Sequence, residues 1–449
     1  MKEWLRPATA GGSRQSADRR TSSSPSQIGK RISTARAQSA REGRRTGRSE
    51  VGSGKGERLR ILNLGVSHSP VCGVRDYAER LGEELASAGH AVESEWLERP
   101  TSVQGTLDWI RTVTSAEMQD RVDVVLWHYS VFAYSSNGVP TVALPLSWAL
   151  WRARVPVVGV LHEFVFPWGR HGWKGTAWAA SQRLALPAVV AVSSRLLVTV
   201  EDRAAWLREQ RWLPCRPTTV VPVFSCLPES LVPPIPQKSG PMRIGMLGYP
   251  KASARLITEA MEYVRATGMS AELWLLGAPG QDTSAGEAWR RAGGAASIGE
   301  AMKFTGIVRP ERLADEIAHC DILIFDDTFG PSSRKTTLAA ILVSGRPVVA
   351  IDGPSTWSLL AEAGAVRLVA RNPRALGEAL FHLANDDAKR EELGARSRAF
   401  YERHQSRSVV AAAVLQLIWE CCNTLAGDAR ERKISQIEGA SHRGEVTRG

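Results

Sequence analysis

Two short segments carry side chains suited to holding an anion. In DILIFDDTFGPSSRKTTLAAILVSGRPVVAID an apolar run leaves through Asp326 and Asp327, passes Gly330 and reaches Ser332, Ser333, Arg334 and Lys335 at the start of a helical stretch. A helix N-terminus with two hydroxyls and two cations attracts an anion, because the dipole, the free N–H groups and the guanidinium act together. A capped helix with solvated cations is the alternative, but the apolar strand expected over 347–351 argues for burial. In MRIGMLGYPKAS a second apolar run ends in Gly248 and delivers Lys251 to another helix start, a second candidate for phosphate. Asp326 and Asp327 are adjacent rather than spaced as an Asp-x-Asp pair, so no metal site is assigned to them.

His162 and Glu163 end the run VVGVLHEF. At the carboxyl edge of a strand in a doubly wound sheet they would face a cleft, placed for hydrogen bonding or proton transfer. A structural histidine is the alternative. The segment CGVRDYAERL sets Cys72, Gly73 and Val74 between an apolar run and an amphipathic stretch, with Arg75 and Asp76 directly after. Glycine there lets backbone approach a ligand, and the N–H groups of a helix start favour an anion or hydroxyl. A tight turn needed only for packing accounts for it equally well. Phe164, Phe166, Trp168, Trp173 and Trp178, mixed with Arg170 and Lys174, suit core packing, which is the preferred reading, or contact with a membrane surface or lipid-linked acceptor.

The elements that must position these residues follow from the apolar pattern. From Leu59 onward short apolar runs alternate with segments of helical period, which predicts parallel sheets covered by helices. Strands are expected over 59–64, 122–127, 155–161, 188–192 and 218–221, with helical stretches starting at Gly73, Thr106, Thr141, Gly175 and Arg195. LPESLVPPIPQKSGP, with five prolines, breaks the pattern as a linker would. Alternation then resumes with strands over 242–247, 271–276, 322–325, 347–351 and 366–369, and residues 386–426 read as helical. The expected organisation is a disordered basic tail (1–57), an acceptor domain (58–230), a linker (231–241), a nucleotide-sugar domain (242–427) whose final helices pack back, and a disordered tail (428–449). The fold class is α/β, two doubly wound Rossmann-like domains facing a cleft.

Composition narrows the function classes. The formal net charge of +11 invites a nucleic-acid reading, but residues 1–60 hold 15 Lys and Arg against 5 Asp and Glu, so the remainder is close to neutral. A specific nucleic-acid partner is therefore not expected. The six cysteines show no C-x-x-C spacing, which points away from a zinc site or disulfide scaffold and towards a reducing cytoplasm. No apolar run reaches the roughly 18 to 20 residues that a spanning helix needs. The expected location is cytoplasmic, with peripheral contact to the inner membrane face as the variant that the aromatic segment suggests. No G-x-G-x-x-G follows a strand, so a dinucleotide cofactor is not expected.

Taken in order, CGVRDYAERL, VVGVLHEF, AVSSRLL, GMLGYPK, GIVRPERLADEIAHCDILIF and LVSGRPVVAID resemble the landmarks of glycosyltransferase family 4, a retaining group with the GT-B fold. The resemblance covers roughly residues 59–425. It implies a transferase that moves a sugar from a nucleotide diphosphate sugar, its donor substrate and not a cofactor, to a glycan, lipid-linked or small-molecule acceptor. It also implies that His162 and Glu163 are catalytic, that Gly248, Lys251, Ser332, Ser333, Arg334 and Lys335 hold the donor, and that Gly73, Arg75 and Asp76 face the acceptor. Stabilising the leaving diphosphate asks only for fixed cations and helix N–H groups, so no metal is expected. The chain departs from the pattern at the two donor-loop glutamates spaced eight apart, where alignment on Gly345 puts Ser332 and Ala340. That departure motivates one rival, a catalytically inactive binding or scaffold protein; a sugar-nucleotide epimerase on the same fold is the other.

Overall fold

A computed structural model describes residues 58–67, 72–98, 102–134, 138–229 and 240–423. The expected tails, and nearly all of the expected linker, lie outside these residues.

The first half runs β1 (Arg60–Ser67), α1 (Gly73–Ser87), β2 (Ala91–Glu98), α2 (Val103–Val113), α3 (Ala116–Arg121), β3 (Val124–Ser130), α4 (Ala143–Ala153), β4 (Val157–Glu163), α5 (Gly172–Val192), β5 (Arg195–Val198), α6 (Glu201–Glu209) and β6 (Thr218–Val220). Its six strands pair in parallel in the order β2-β1-β3-β4-β5-β6. The second half runs β7 (Met242–Leu247), a 3-10 turn (Lys251–Ser253), α7 (Ala254–Ala266), β8 (Ala271–Leu276), α8 (Ser284–Ala295), a second 3-10 turn (Gly299–Ala301), β9 (Met302–Gly306), α9 (Pro310–Ala318), β10 (Ile322–Phe325), α10 (Thr336–Val343), β11 (Val348–Ile351), α11 (Ser358–Glu362), β12 (Arg367–Val369), α12 (Pro373–Ala384) and α13 (Asp387–His404). Its sheet is also parallel, in the order β12-β11-β10-β7-β8-β9. A last helix, α14, covers 407–423.

The central strands VVLWHYS, ILIF and VVAI are buried throughout, as strands covered by helices on both faces must be. One face of the first sheet packs residues of α2, α4, α5 and α6 into a single core. The other face packs Tyr77, Leu81 and Leu85 of α1 together with Val410, Val414, Leu417, Ile418 and Cys421 of α14. Helix α14 thus completes the core of the first sheet. Strand order reverses between β1 and β3 in one sheet and between β7 and β10 in the other, and the crevices at those carboxyl ends are where such sheets take ligands.

Several expectations need correction. Residues 188–192 are not a strand; they are the last turns of α5, even though PAVVAV is rich in β-branched residues. Burial of Val189 and Val190 in the core outweighs their local preference. The strand lies just beyond, at Arg195–Val198, where a helix start was expected. Strands β2 and β9 were not anticipated; each is an edge strand, partly exposed, without a continuous apolar run. The helix after the donor-loop serines begins at Thr336, so 332–335 form the turn that precedes it.

Candidate active site

The last two residues of β4 are His162 and Glu163. On the neighbouring strand β3, His128 is fully buried, and its Nδ1 lies 3.1 Å from His162 Nε2. Tyr77 of α1 meets the His162 ring edge-on at 5.7 Å. Burial lowers His162 to about 3, with the Arg203 charge adding to the effect, and pushes His128 well below the usual histidine range. Both rings are therefore neutral near pH 7, and one must donate to the other. His128 Nε2 has no partner among the described residues, and a buried N–H without an acceptor is rarer than a buried acceptor without a donor. This assigns the shared proton to His128 Nδ1. His162 then accepts at Nε2, so its remaining polar atom, Nδ1–H, is a donor and not a base.

Glu163 lies between two guanidinium groups. Its Oε1 is 3.5 Å from Arg334 Nη1 and 4.0 Å from Arg203 Nη2. Arg203 belongs to α6 of the first half and Arg334 to the turn before α10 in the second. Desolvation lowers Arg203 to about 10, with the charge of Arg334 adding, so it still carries its proton at neutral pH. In the lining of the larger cavity these two cations face one carboxylate, an excess of positive charge that an anion would offset, whereas Asp202 adds a second carboxylate to the smaller cavity.

A cavity of about 370 Å³ opens here, lined by Gly73, His162, Glu163, Thr199, Arg203 and Arg334 among others. A second, of about 220 Å³, shares Glu163, Arg203 and Arg334 and is otherwise mainly apolar, with Phe132, Phe166 and Phe329. Thr199 Oγ1 at the first and Ser332 Oγ at the second are buried hydroxyls without hydrogen-bond partners among the described residues. Thr336, which also lines the first cavity, begins α10, whose leading N–H groups have no intrahelical acceptors. The helix is buried from Leu338 to Val343, so its dipole acts in poorly screened surroundings.

The expected site residues divide into three groups. Gly73, His162, Glu163 and Arg334 share the larger cavity, and Ser332 adjoins it. A Cβ at Gly73 would meet nothing within 4 Å, so no packing contact requires glycine there. Gly248, at φ +67°, lies beside Thr337, bringing the end of β7 to the start of α10. Ser333 and Lys335 serve the frame: Ser333 Oγ donates to Thr199 O, its carbonyl accepts from Val223 N–H at 2.9 Å, and Lys335 Nζ pairs with Asp327 at 2.5 Å. Asp326 is held by Arg371. Lys251 is exposed and lines neither cavity. Arg75 is bound to Glu79 and Glu98, while Asp76, its carboxyl pushed up by burial, also lies outside both cavities.

Arg203, Thr199 and His128 were missed. Arg203 had a readable signal, a cation in the first turn of a helix that follows an apolar run, much as Arg334 stands in the turn just ahead of α10. It was hidden because β5 was read as a helix start. The aromatic segment mostly packs inward: Phe164 is buried, Phe166 and Trp178 meet edge-on at 5.4 Å, and Trp168 lies under Arg183; only Trp173 is strongly exposed.

No protein-family model and no curated protein matches this chain. Solved structures do match along most of its length. A glycosyltransferase from Rickettsia africae aligns over 81% of this chain and 98% of its own, with a TM-score of 0.61 at 11% identity. Anabaena HepE, in complex with UDP and glucose, aligns over 81% and 100%, with a TM-score of 0.58 at 14% identity. Sucrose-phosphate synthase from Thermosynechococcus elongatus aligns over 81% and 99%, with a TM-score of 0.55 at 16% identity. The two parallel six-stranded sheets with flanking helices are the GT-B fold of these proteins.

Proposed function

We propose that this protein is a glycosyltransferase that binds a nucleotide diphosphate sugar in the cleft between its two sheets and transfers the sugar to an acceptor. The observation that carries this reading is the pair Arg203 and Arg334, brought from opposite halves to one carboxylate beside two buried hydroxyls that have no partner among the described residues. That is a built anion site, with two cations against one carboxylate in the larger cavity. The UDP and glucose bound by Anabaena HepE are the kind of ligand such a site would take.

In this reading the diphosphate lies against Arg334, Arg203, Ser332 and the first N–H groups of α10. As the bond from the anomeric carbon to the phosphate oxygen breaks, negative charge grows on the leaving diphosphate. The fixed guanidinium groups and the helix start stabilise it without reorganising. His162 donates a hydrogen bond to the sugar or the acceptor, and the acceptor approaches past Gly73. Glu163 holds both arginines in place until the donor arrives. Retention at the anomeric carbon and transfer without a metal are the expected course.

A hydrogen bond to a charged group contributes about 1.5 to 3 kcal/mol, and about 1.4 kcal/mol is tenfold in rate. Arg334→Ala and Arg203→Ala should each lower kcat/KM roughly 10- to 150-fold and weaken nucleoside diphosphate binding more than monophosphate binding. A thermal-shift panel of nucleotide diphosphate sugars, followed by calorimetry on both variants, tests this. Unchanged diphosphate affinity in both variants would remove the clamp. Donor binding without release of nucleoside diphosphate, across a broad acceptor panel, would favour an inactive binding protein.

A further inference from the structure

We propose that the outward face of α4 and α5 docks on the surface of an anionic lipid bilayer. The two helices pack side by side on one face of the first sheet. The inner side of α4 is buried through Leu146 and Leu150, while Leu144, Trp148 and Trp151, at positions i, i+4 and i+7, form a stripe on its outer side. Trp148 is 60% exposed and Trp151 69%. On α5, Trp173 at 77% and Leu184 at 76% project outward at helical spacing, three turns apart. Five large apolar side chains exposed on two adjoining helices suit a contact surface better than isolated solvent-facing residues would.

The charges around them identify the occupant. Neither α4 nor α5 contains an Asp or Glu, whereas Arg152, Arg154, Arg170 and Lys174 lie on or beside them. Arg152 sits over the Trp148 ring at 5.7 Å, and Lys174 over Trp173 at 5.9 Å. Tryptophan with interleaved cations fits the headgroup level of a bilayer, where the ring body meets acyl chain, the indole N–H meets water and the cation meets lipid phosphate. Phe132, which lines both cavities, packs edge-on against Phe166 and Trp178, and Trp178 lies on α5 just beyond Trp173. Docking is independent of what the cleft transfers.

Co-sedimentation of the full chain with vesicles tests the surface. Binding is expected to phosphatidylcholine mixed with phosphatidylglycerol, not to phosphatidylcholine alone, and should weaken as salt screens the cations. The variant Trp148→Ser/Trp151→Ser/Trp173→Ser should reduce partition at least tenfold while melting with the parent, since the three rings are exposed. Arg152→Glu and Lys174→Glu should each reduce partition by roughly fivefold or more. Three outcomes overturn the proposal: no partition into anionic vesicles, parental partition by the tryptophan variant (which would move lipid contact elsewhere, residues 1–57 included), or a tryptophan-dependent dimer in light scattering without lipid.

Discussion

Desolvation keeps the His162 imidazole neutral down to about pH 3, while the adjacent Glu163 sits between two guanidinium groups. Neighbours in sequence thus take different parts, one a neutral donor and the other a counter-charge. Removing a single positioned donor typically costs about 10² to 10³ in kcat, so His162→Ala should lose that much with KM less affected. The histidine also leaves a mark on stability. Between about 3 and its ordinary value of 6.5 the unfolded chain binds a proton that the folded chain does not, so stability is full above 6.5 and falls as pH drops through that window. His162→Gln should therefore show a shallower loss of melting temperature below pH 6.5 than the parent. An equal slope in both would mean that the ring is already protonated in the folded state.

The elements hold these groups through their connecting segments as much as through the sheet. Gln182, fully buried on α5, accepts from Phe166 N–H at 2.5 Å and donates to Gly138 O at 2.8 Å. One side chain therefore ties the segment after β4 to the segment after β3, next to the residues that line both cavities. Gln182→Leu fills a similar volume but leaves a buried N–H and a buried carbonyl unpaired, each costing about 1 to 3 kcal/mol. Denaturant unfolding should show a loss of at least about 2 kcal/mol, together with weaker donor binding, because Phe166 is freed. A loss of stability with unchanged binding would show that the second cavity does not depend on this anchor.

At the scale of the molecule, α14 returns to the sheet that the chain builds first. Ile418, with no exposed surface, packs among residues of β1, β3 and α1. The segment before the linker is tied to the start of α14 as well: Gln405 donates to Val223 O at 2.9 Å, and Arg407 to Leu227 O at 2.9 Å. Core truncations of this kind cost about 2 to 5 kcal/mol, so Ile418→Ala should destabilise the first sheet's core although it lies more than 170 residues beyond the linker. Hydrogen exchange can localise the effect. Protection lost on β1 and β3, with β7 and β10 unchanged, is the expected pattern; loss confined to α14 would show that the helix is peripheral to that core.

The amino-acid order alone determined the alternation of strand and helix, the parallel sheets and the placing of His162, Glu163 and Arg334 at strand ends or helix starts. Continuous apolar runs such as ILIF and VVAI report burial on both faces directly. Where burial is partial, that signal fades, which is why the edge strands β2 and β9 escaped notice. Where an apolar stretch is buried whichever form it takes, as at 188–192, only its neighbours decide, and they made it helix. Pairings across the fold left no local trace. His128 and His162 are 34 residues apart, and Arg203 reaches the carboxylate that Arg334 also faces only because two sheets present their carboxyl ends to one cleft. Periodicity encodes how much of a side chain is buried, whereas which charge it meets depends on the packing of segments distant in sequence.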